Sequence, residues 1–549
     1  MRYGRLCIGL PSKIYKFLQP EASPVFSKLL SSCYWPKELS FDVRAIKFKN
    51  ISSTQALFRK VFYLTSSTYG LAKYHMRVVM KFGGSAIDSA NKINNVAELI
   101  RKYKFCNDLS DRSNHDNDIV VVISALRGMT DNILSVCENI KKGLKQPTYD
   151  FIQRTRVAHL GLIENGINRD DLKNQARATV LPILDELKAV LEGLVLLTEV
   201  TPKSMDYLLS FGERLSTPIV HFALLDRGLK SQFLTAKDIG ILTNSSFGEA
   251  TPLMDTTRLR VSHRLEVLLK DDVIPVVTGF IGTDQNGSFT TLGRGGSDYS
   301  ATIIGSSIKA DEVWLWSDVD GLMTADPKIV EDARVLKEVS FTEAMEMALF
   351  GAKYIHPRAL EPAIEAKIPV RIRNAFNPQN VGTLITADPS NQSQKIVKSI
   401  NTIRNTALID VGGSGMVGAP GTAAKIFDTL AKNRVNIMMI SQSPSESSIS
   451  MVVRKNVLDR AVNILELNLL GKVIKKVNVN DDVAVIAVVG SGMRGIKGVA
   501  AKVFGAIAKR DINVIMITQG YSELNLALVV NNKDCEDAVK ALHREFELS

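Results

Sequence analysis

Arg77-Val78-Val79-Met80-Lys81-Phe82-Gly83-Gly84-Ser85 is the stretch on which the fold turns. A short run of β-branched and apolar residues breaks at two adjacent glycines, and helical spacing follows through Val96 to Ile100, so the segment reads strand, Gly turn, helix. The next apolar run, Ile119-Val120-Val121-Val122-Ile123, shows no alternation at all. A strand that is apolar on both faces needs cover on both faces. That is the pattern of a parallel sheet sandwiched by helices, so the class is α/β.

Outward from this core, residues 140–200 read as helical, with Leu and Ile at helical spacing around Ile183-Leu184 and from Leu191 to Leu197. Strand-like runs resume at Val273 to Ile281 and at Val313 to Trp316. Asn377 to Ser393, rich in Asn, Gln, Pro and Ser, reads as a domain border. Beyond it the chain repeats itself at an offset of 77 residues: Gly413-Ser414-Gly415-Met416 returns as Gly490-Ser491-Gly492-Met493, Ala424-Lys425-Ile426-Phe427 as Ala501-Lys502-Val503-Phe504, and Ile440-Ser441-Gln442 as Ile517-Thr518-Gln519. Each copy reads strand, Gly loop, helix, strand, turn, strand, helix, the order of a ferredoxin-like βαββαβ unit. The division this predicts is a basic extension at 1–75, an α/β domain at 76–395, and two small domains at 400–475 and 480–549.

A chain of 549 residues is several domains long at roughly 150 residues each. Its net charge of +11 invites a nucleic-acid reading, but residues 1–75 hold 12 Lys and Arg against Glu21, Glu38 and Asp42, so +9 of it belongs to that extension. The remainder is nearly neutral and lacks the footprint of a DNA or RNA binder. The extension itself, rich in Ser, Lys and Arg and poor in acids, has two readings: an organellar transit segment, or sequence upstream of a true start at Met76. A cytoplasmic location is expected, with an organellar one as the alternative. Cys7, Cys33, Cys106, Cys137 and Cys535 are odd in number, scattered and free of C-x-x-C pairs, which predicts neither a disulfide framework nor a zinc site. No run approaches roughly 18 uninterrupted apolar residues, so no membrane span is expected.

Neither a G-x-x-x-x-G-K-[ST] loop nor the HRD and DFG motifs of protein kinases are present. Phosphate handling instead suits Lys81 to Ser85: paired glycines let backbone N–H groups approach an anion, the following helix adds its dipole, and Lys81 adds a point charge. A lone GG after a strand is more often a tight turn. Thr291-Leu292-Gly293-Arg294-Gly295-Gly296-Ser297-Asp298 adds a second anion cradle, with an arginine fork suited to a carboxylate and an acid able to orient Lys81 or a metal. The alternative there is a solvated surface turn. His356 reads as a structural histidine.

In the order and spacing of KFGGSA (81–86), SFGERLS (210–216), TTLGRGGSDYSA (290–301), WSDVDGLMTADPK (316–328) and FGAKYIHPR (350–358), the sequence resembles the aspartate kinases over about residues 77–549. The duplicated unit looks like that family's paired ACT domains. Carried over, the resemblance implies an amino-acid-kinase sheet and ATP with Mg²⁺ as cofactors. The reaction it implies is transfer of a phosphoryl group to the side-chain carboxylate of L-aspartate, the first step of lysine, threonine and methionine biosynthesis. It implies that Lys81, Gly83, Gly84 and Ser85 hold the ATP phosphates, that Ser124, Thr130, Glu213 and Arg294 surround aspartate, and that Asp298 organises the catalytic Lys81. Arg294 would clamp a carboxylate and Glu213 would face the ammonium. Ser317, Asp318, Met323, Lys328 and Lys353 would line the nucleotide pocket, and no protein residue is assigned as a metal ligand. Met416, Gly418, Thr422, Asn436, Ile437, Gln442 and Gln519 would meet an amino-acid effector.

Departures from the family pattern are Ala86, which brings no hydroxyl, and Met323, which stands where a tyrosine is common. Lysine-sensitive members tend to carry an Asp where this chain has Met438, so threonine is the expected inhibitor. With no further enzyme domain after the repeats, the chain resembles the monofunctional type, and pairing of the repeats predicts a homodimer or higher oligomer. A free aspartate side chain has a pKa of about 3.9, so the nucleophile is already ionised at neutral pH and needs no general base. Two readings compete: a kinase for another acid, and a catalytically silent amino-acid sensor.

Overall fold

The computed structural model describes residues 75–105, 116–352, 355–390 and 395–549, so the basic extension lies outside the described residues apart from His75. Along the chain come β1 (Arg77–Phe82), α1 (Ala90–Lys104), β2 (Asp118–Ile123), α2 (Met129–Lys141), α3 (Gln146–Gly166), α4 (Asp170–Leu197), α5 (Pro202–Asp226), β3 (Ser231–Leu234), α6 (Ala236–Ile239), α7 (Met254–Lys270), β4 (Ile274–Thr278), β5 (Ile281–Thr283), β6 (Phe289–Thr291), α8 (Gly296–Ile308) and β7 (Glu312–Ser317). Then follow β8 (Glu338–Ser340), α9 (Phe341–Leu349), α10 (Pro357–Ala366), β9 (Val370–Asn374), β10 (Thr383–Thr386), β11 (Ser399–Gly412), α11 (Thr422–Lys432), β12 (Ile437–Gln442), β13 (Ser448–Arg454), α12 (Leu458–Leu469), β14 (Lys476–Val489), α13 (Val499–Ala508), β15 (Met516–Thr518), β16 (Asn525–Asn531) and α14 (Cys535–Glu545).

The first sheet has the order β3-β4-β2-β1-β7-β9-β10-β8. From β3 to β9 every pair is parallel. The two runs without alternation, in β1 and β2, sit at its middle with Val79, Val120 and Val122 on one face and Val78, Met80, Ile119 and Val121 on the other. At β1 the order reverses, with β2 on one side and β7 on the other, and such a switch opens a crevice at the carboxyl ends of the strands. β10 corrects the expected border at 377–393. It runs antiparallel to β9 and parallel to β8, and its Ile385 is buried, so the middle of that polar stretch belongs to this sheet.

α5 passes through the interior. Thr201 caps it by accepting the Ser204 N–H at 3.1 Å, and Pro202 occupies its first turn. From Asp206 to Leu224 most of its residues are buried, including Asp206, Ser210, Glu213, Ser216 and Thr217. Their spacing keeps them near one face of the helix, and polar groups placed there must be satisfied or used.

The two repeats share one six-stranded sheet of order β12-β13-β11-β14-β16-β15. The two βαββαβ units expected at 400–475 and 480–549 therefore share strands and do not stand as independent sheets. β11 and β14 are 14 residues each and pair antiparallel along their whole length. The first half of β14 closes the first copy. The first half of β11, which precedes both copies, supplies the strand the second copy lacks after α14. A register irregularity between Ile403 and Leu408, with Asn405 at φ 57°, marks where β11 passes from one copy to the other.

This sheet is joined to the first domain by a buried cluster. Glu343 in α9 is fully buried, takes the Lys398 ammonium at 2.8 Å, and accepts from the Ser491 N–H and hydroxyl at 2.9 and 2.6 Å. Burial pushes the Glu343 carboxyl up, but Lys398 and the Ser491 donors outweigh it and hold the group below the usual carboxylate range. A depressed carboxyl gives stability that is present above its unfolded pKa and lost as pH falls through the folded one. Lys398→Met, which strands the buried carboxylate, should cost about 3–5 kcal/mol in denaturant unfolding of the full chain. A loss below about 1 kcal/mol would mean that the pair stabilises no more than a surface one.

Candidate active site

The crevice at the carboxyl ends of the parallel strands holds a cleft of about 610 Å³ lined by Lys81, Ser124, Thr130, Asp206, Glu213, Glu249, Phe280, Thr291, Arg294, Ser297 and Asp298, among others. Segments separated by more than 200 residues meet there, and two glycines allow the close approaches at its walls. A Cβ on Gly84 would lie 2.4 Å from the Ala125 carbonyl oxygen, and one on Gly295, whose φ is 68°, would lie 2.4 Å from the His356 Cβ. No other residue fits either position without moving its neighbours.

Lys81, one residue before the end of β1, reaches across to α8, where its Nζ lies 2.5 Å from Asp298 Oδ1. Asp298 belongs to the first turn of α8, where the helix dipole favours an anion. The Gly83 N–H donates to the Trp316 carbonyl at 3.1 Å, so the turn after β1 lies beside the end of β7, where Ser317 and Asp318 follow. Ser124 continues from β2; its N–H donates to the Phe82 carbonyl, its carbonyl accepts from the Ser216 hydroxyl, and its hydroxyl accepts from Ser297 at 3.2 Å. Thr130 sits in the first turn of α2.

Glu213 is the unusual group. It is fully enclosed on α5; Oε1 accepts from the Ala125 N–H at 3.0 Å, while Oε2 has no hydrogen-bond partner. Desolvation, only partly offset by backbone N–H groups, the charge of Lys81 and the nearby Ser297 hydroxyl, pushes its pKa up to about 8. A buried acidic oxygen without a partner beside a cleft is a group that a cationic ligand would satisfy. Arg294 stands exposed at the rim and forms no ion pair among the described residues.

The predicted residues therefore divide. Lys81, Ser124, Thr130, Glu213, Arg294 and Asp298 line the cleft together. Met323 and Lys328 lie on the segment after β7, which leans on the second sheet: the Met323 carbonyl accepts from the Ser399 hydroxyl, and Ala325 and Val330 share a core with α13 and α14. Lys353 lies outside the described residues. His356 is buried enough that desolvation lowers its pKa, and its Nδ1 has no partner, in keeping with a neutral packing role over Gly295. In the repeats, Met416 packs in the core of the first copy, Gly418 is exposed at φ 65°, Thr422 begins α11, Asn436 and Ile437 lead into β12, Gln442 ends that strand, and Gln519 follows β15. Sequence reasoning missed Ser297, although it lies inside the quoted motif, and Asp206, whose signal was its spacing seven residues before Glu213 on one buried helix face.

The Amino acid kinase family model matches residues 76–374, and the ACT domain model matches 409–469 and 486–546, again 77 apart. Aspartokinase 1, chloroplastic, of Arabidopsis thaliana is 33% identical over 475 residues, covering 85% of this chain and 80% of that protein. The bifunctional aspartokinase/homoserine dehydrogenase 1 of Zea mays is 32% identical, but this chain spans 51% of it. Among solved structures, E. coli aspartokinase III in complex with aspartate and ADP (R-state) superposes with a TM-score of 0.72 at 28% identity over 85% of this chain and 99% of that one. The same enzyme in complex with lysine and aspartate (T-state) gives 0.69 at 28% identity over 86% and 99%.

If an ammonium docks at Oε2 it must pull Glu213 to its ionised form. With a free-state pKa of about 8, binding of an amino acid at pH 7 should release most of one proton. Calorimetry in two buffers of different ionisation heat measures this, and Glu213→Gln should abolish it. Binding without proton release would mean that the open oxygen is not the ammonium site.

Proposed function

The chain belongs to the aspartokinases, and from that premise we propose how its cleft residues divide the work. The enzyme transfers a phosphoryl group from ATP to the side-chain carboxylate of L-aspartate, giving ADP and 4-phospho-L-aspartate in the route to lysine, threonine and methionine, and ACT domains regulate it. Glu213 Oε2 receives the α-ammonium and Arg294 the α-carboxylate, with Ser124 and Thr130 beside them. The observation that carries this reading is the unpartnered, buried oxygen of Glu213 in the same cleft as the Lys81–Asp298 pair.

The nucleophile arrives ionised, so the protein's task is alignment and charge neutralisation. Lys81 meets the transferring phosphoryl group, Asp298 holds the ammonium of Lys81 in place, and the phosphate oxygens lie over the Gly83-Gly84-Ser85 turn, taking the N–H groups of Gly84 and Ser85 while that of Gly83 stays on the Trp316 carbonyl. Ser317, Asp318, Met323, Lys328 and Lys353 hold the nucleotide. Mg²⁺ would be carried in on the triphosphate and meet one or two protein carboxylates. Asp298 is the candidate among them. When bound, the ion would neutralise charge on the phosphates.

For the effector, threonine is favoured over lysine because Met438 in β12 offers no charge to a second ammonium. The first copy is the favoured seat. Its Ser414 is exposed, whereas the equivalent Ser491 is already taken by Glu343. A homodimer or larger assembly through the ACT sheet completes this reading. No helix among the described residues is long and apolar enough to cross a membrane. A cytoplasmic site was the expectation; the chloroplastic plant relatives support the organellar alternative for residues 1–75.

ATP-dependent hydroxamate formation by the full chain tests the reaction, since hydroxylamine traps the acyl phosphate. Product should form from aspartate and not from glutamate, and should fall when threonine is added. Lys81→Ala should lose on the order of 10²–10³ in turnover, the usual cost of removing one transition-state donor. Near-normal turnover in folded Lys81→Ala would remove it from the mechanism, and inhibition by lysine without threonine would reverse the effector assignment.

A further inference from the structure

Asp206 is fully buried on α5, lines the cleft, and has no place in the division of labour above. Its Oδ2 accepts from the N–H groups of Gly248 and Thr291 at 3.0 and 2.8 Å, and its Oδ1 accepts the Thr291 hydroxyl at 2.8 Å. The Ala250 N–H closes the knot on the Thr291 carbonyl at 2.9 Å. One carboxylate thus ties together α5, the loop at 248–250 and the end of β6. Thr291 is three residues before Arg294, and Gly293 between them lies so close to the other loop that a Cβ there would be 3.3 Å from Glu249 Cγ.

Asp206 and Glu213 are seven residues apart on α5, about 10 Å along its axis and on the same face. We propose that Asp206 is a positioning residue that fixes the Arg294 loop at the distance from Glu213 required by the two α-groups of an amino-acid substrate. This rests on the reading of Glu213 and Arg294 as the partners of those groups. Asp206 then contributes to substrate recognition without touching substrate. It holds the Thr291 N–H at the base of that loop and the Gly248 N–H of the loop beside it, and loss of the carboxylate leaves the buried Thr291 donor unpaired and the exposed Gly248 loop untied, which moves the loop and not only its energy.

The hydrogen bonds predict which replacement restores function. An asparagine can put its carbonyl oxygen where Oδ2 receives both N–H groups and its amide nitrogen where Oδ1 lay, with the Thr291 hydroxyl turning to accept. Geometry is kept and charge is lost. In the full chain, Asp206→Ala should raise the KM for aspartate on the order of tenfold or more while the KM for ATP stays within about twofold, as expected when a buried donor loses its acceptor and two loops lose their tie beside one subsite. Asp206→Asn should return the aspartate KM to within about threefold of the native value, since the amide rebuilds all three bonds.

Where Asp206→Ala does not fold, Thr291→Val carries the test. It removes the hydroxyl limb alone and should raise the aspartate KM by a few-fold, again without moving that for ATP. An unchanged aspartate KM in folded Asp206→Ala, or in Thr291→Val where that variant carries the test, overturns the proposal. So does an Asp206→Asn as impaired as Asp206→Ala, which would assign the effect to charge. Glu213→Gln and Arg294→Ala, measured alongside, separate the two readings. If they leave the aspartate KM unmoved, the substrate assignment fails. If they raise it and Asp206→Ala does not, the positioning role alone fails.

Discussion

Lys81 and Asp298 are 217 positions apart in sequence and 2.5 Å apart in space, and the rest of the catalytic domain arranges this meeting. An ammonium held by one carboxylate at the mouth of a parallel sheet is a fixed positive charge, which a flexible surface lysine would not be. To hold it, β1 must sit between β2 and β7 and α8 must begin within reach of β1. Two turns must also pack closely, Gly84 against the Ala125 backbone and Gly295 against the His356 side chain. Each of these conditions involves a residue type that resists replacement: apolar on both faces, glycine, or an acid in a helix's first turn.

The parts of the fold governed by local pattern were legible in the chain. Unalternating apolar runs gave the central strands, and the 77-residue offset gave the repeat. What escaped was set by pairing between distant segments. Nothing in residues 399–403 announces that they complete a copy whose other strands lie beyond residue 483, because antiparallel pairing of β11 with β14 is a property of two long strands together. Likewise β10 is four residues in a polar stretch, and only the uncovered edge of β9 gives it a sheet to join.

The site divides along the same line. Lys81, Glu213, Arg294 and Asp298 stood in dense motifs of glycine and charge, which few structural roles require. Asp206 lay in a stretch that reads as ordinary buried helix, and its meaning comes from the N–H groups of Gly248 and Thr291, 42 and 85 residues away. The regulatory sheet makes the same point. Glu343 is one acid among 57 in the sequence, yet it joins α9, β11 and the second copy's Gly loop through Lys398 and Ser491. His356, which follows α9 in the chain, packs on Gly295 beside Arg294.

The central claim is that substrate is held by its α-groups between an enclosed carboxylate and an exposed guanidinium, leaving its side chain free to meet phosphate at Lys81. A crystal structure of the full chain with aspartate and a non-hydrolysable ATP analogue tests it most directly. The account predicts the ammonium within hydrogen-bond distance of Glu213 Oε2, the α-carboxylate on Arg294, and the β-carboxylate directed at the γ-phosphate. An aspartate bound the other way round, with its side-chain carboxylate on Arg294, or one that leaves Glu213 Oε2 unpartnered, would contradict it.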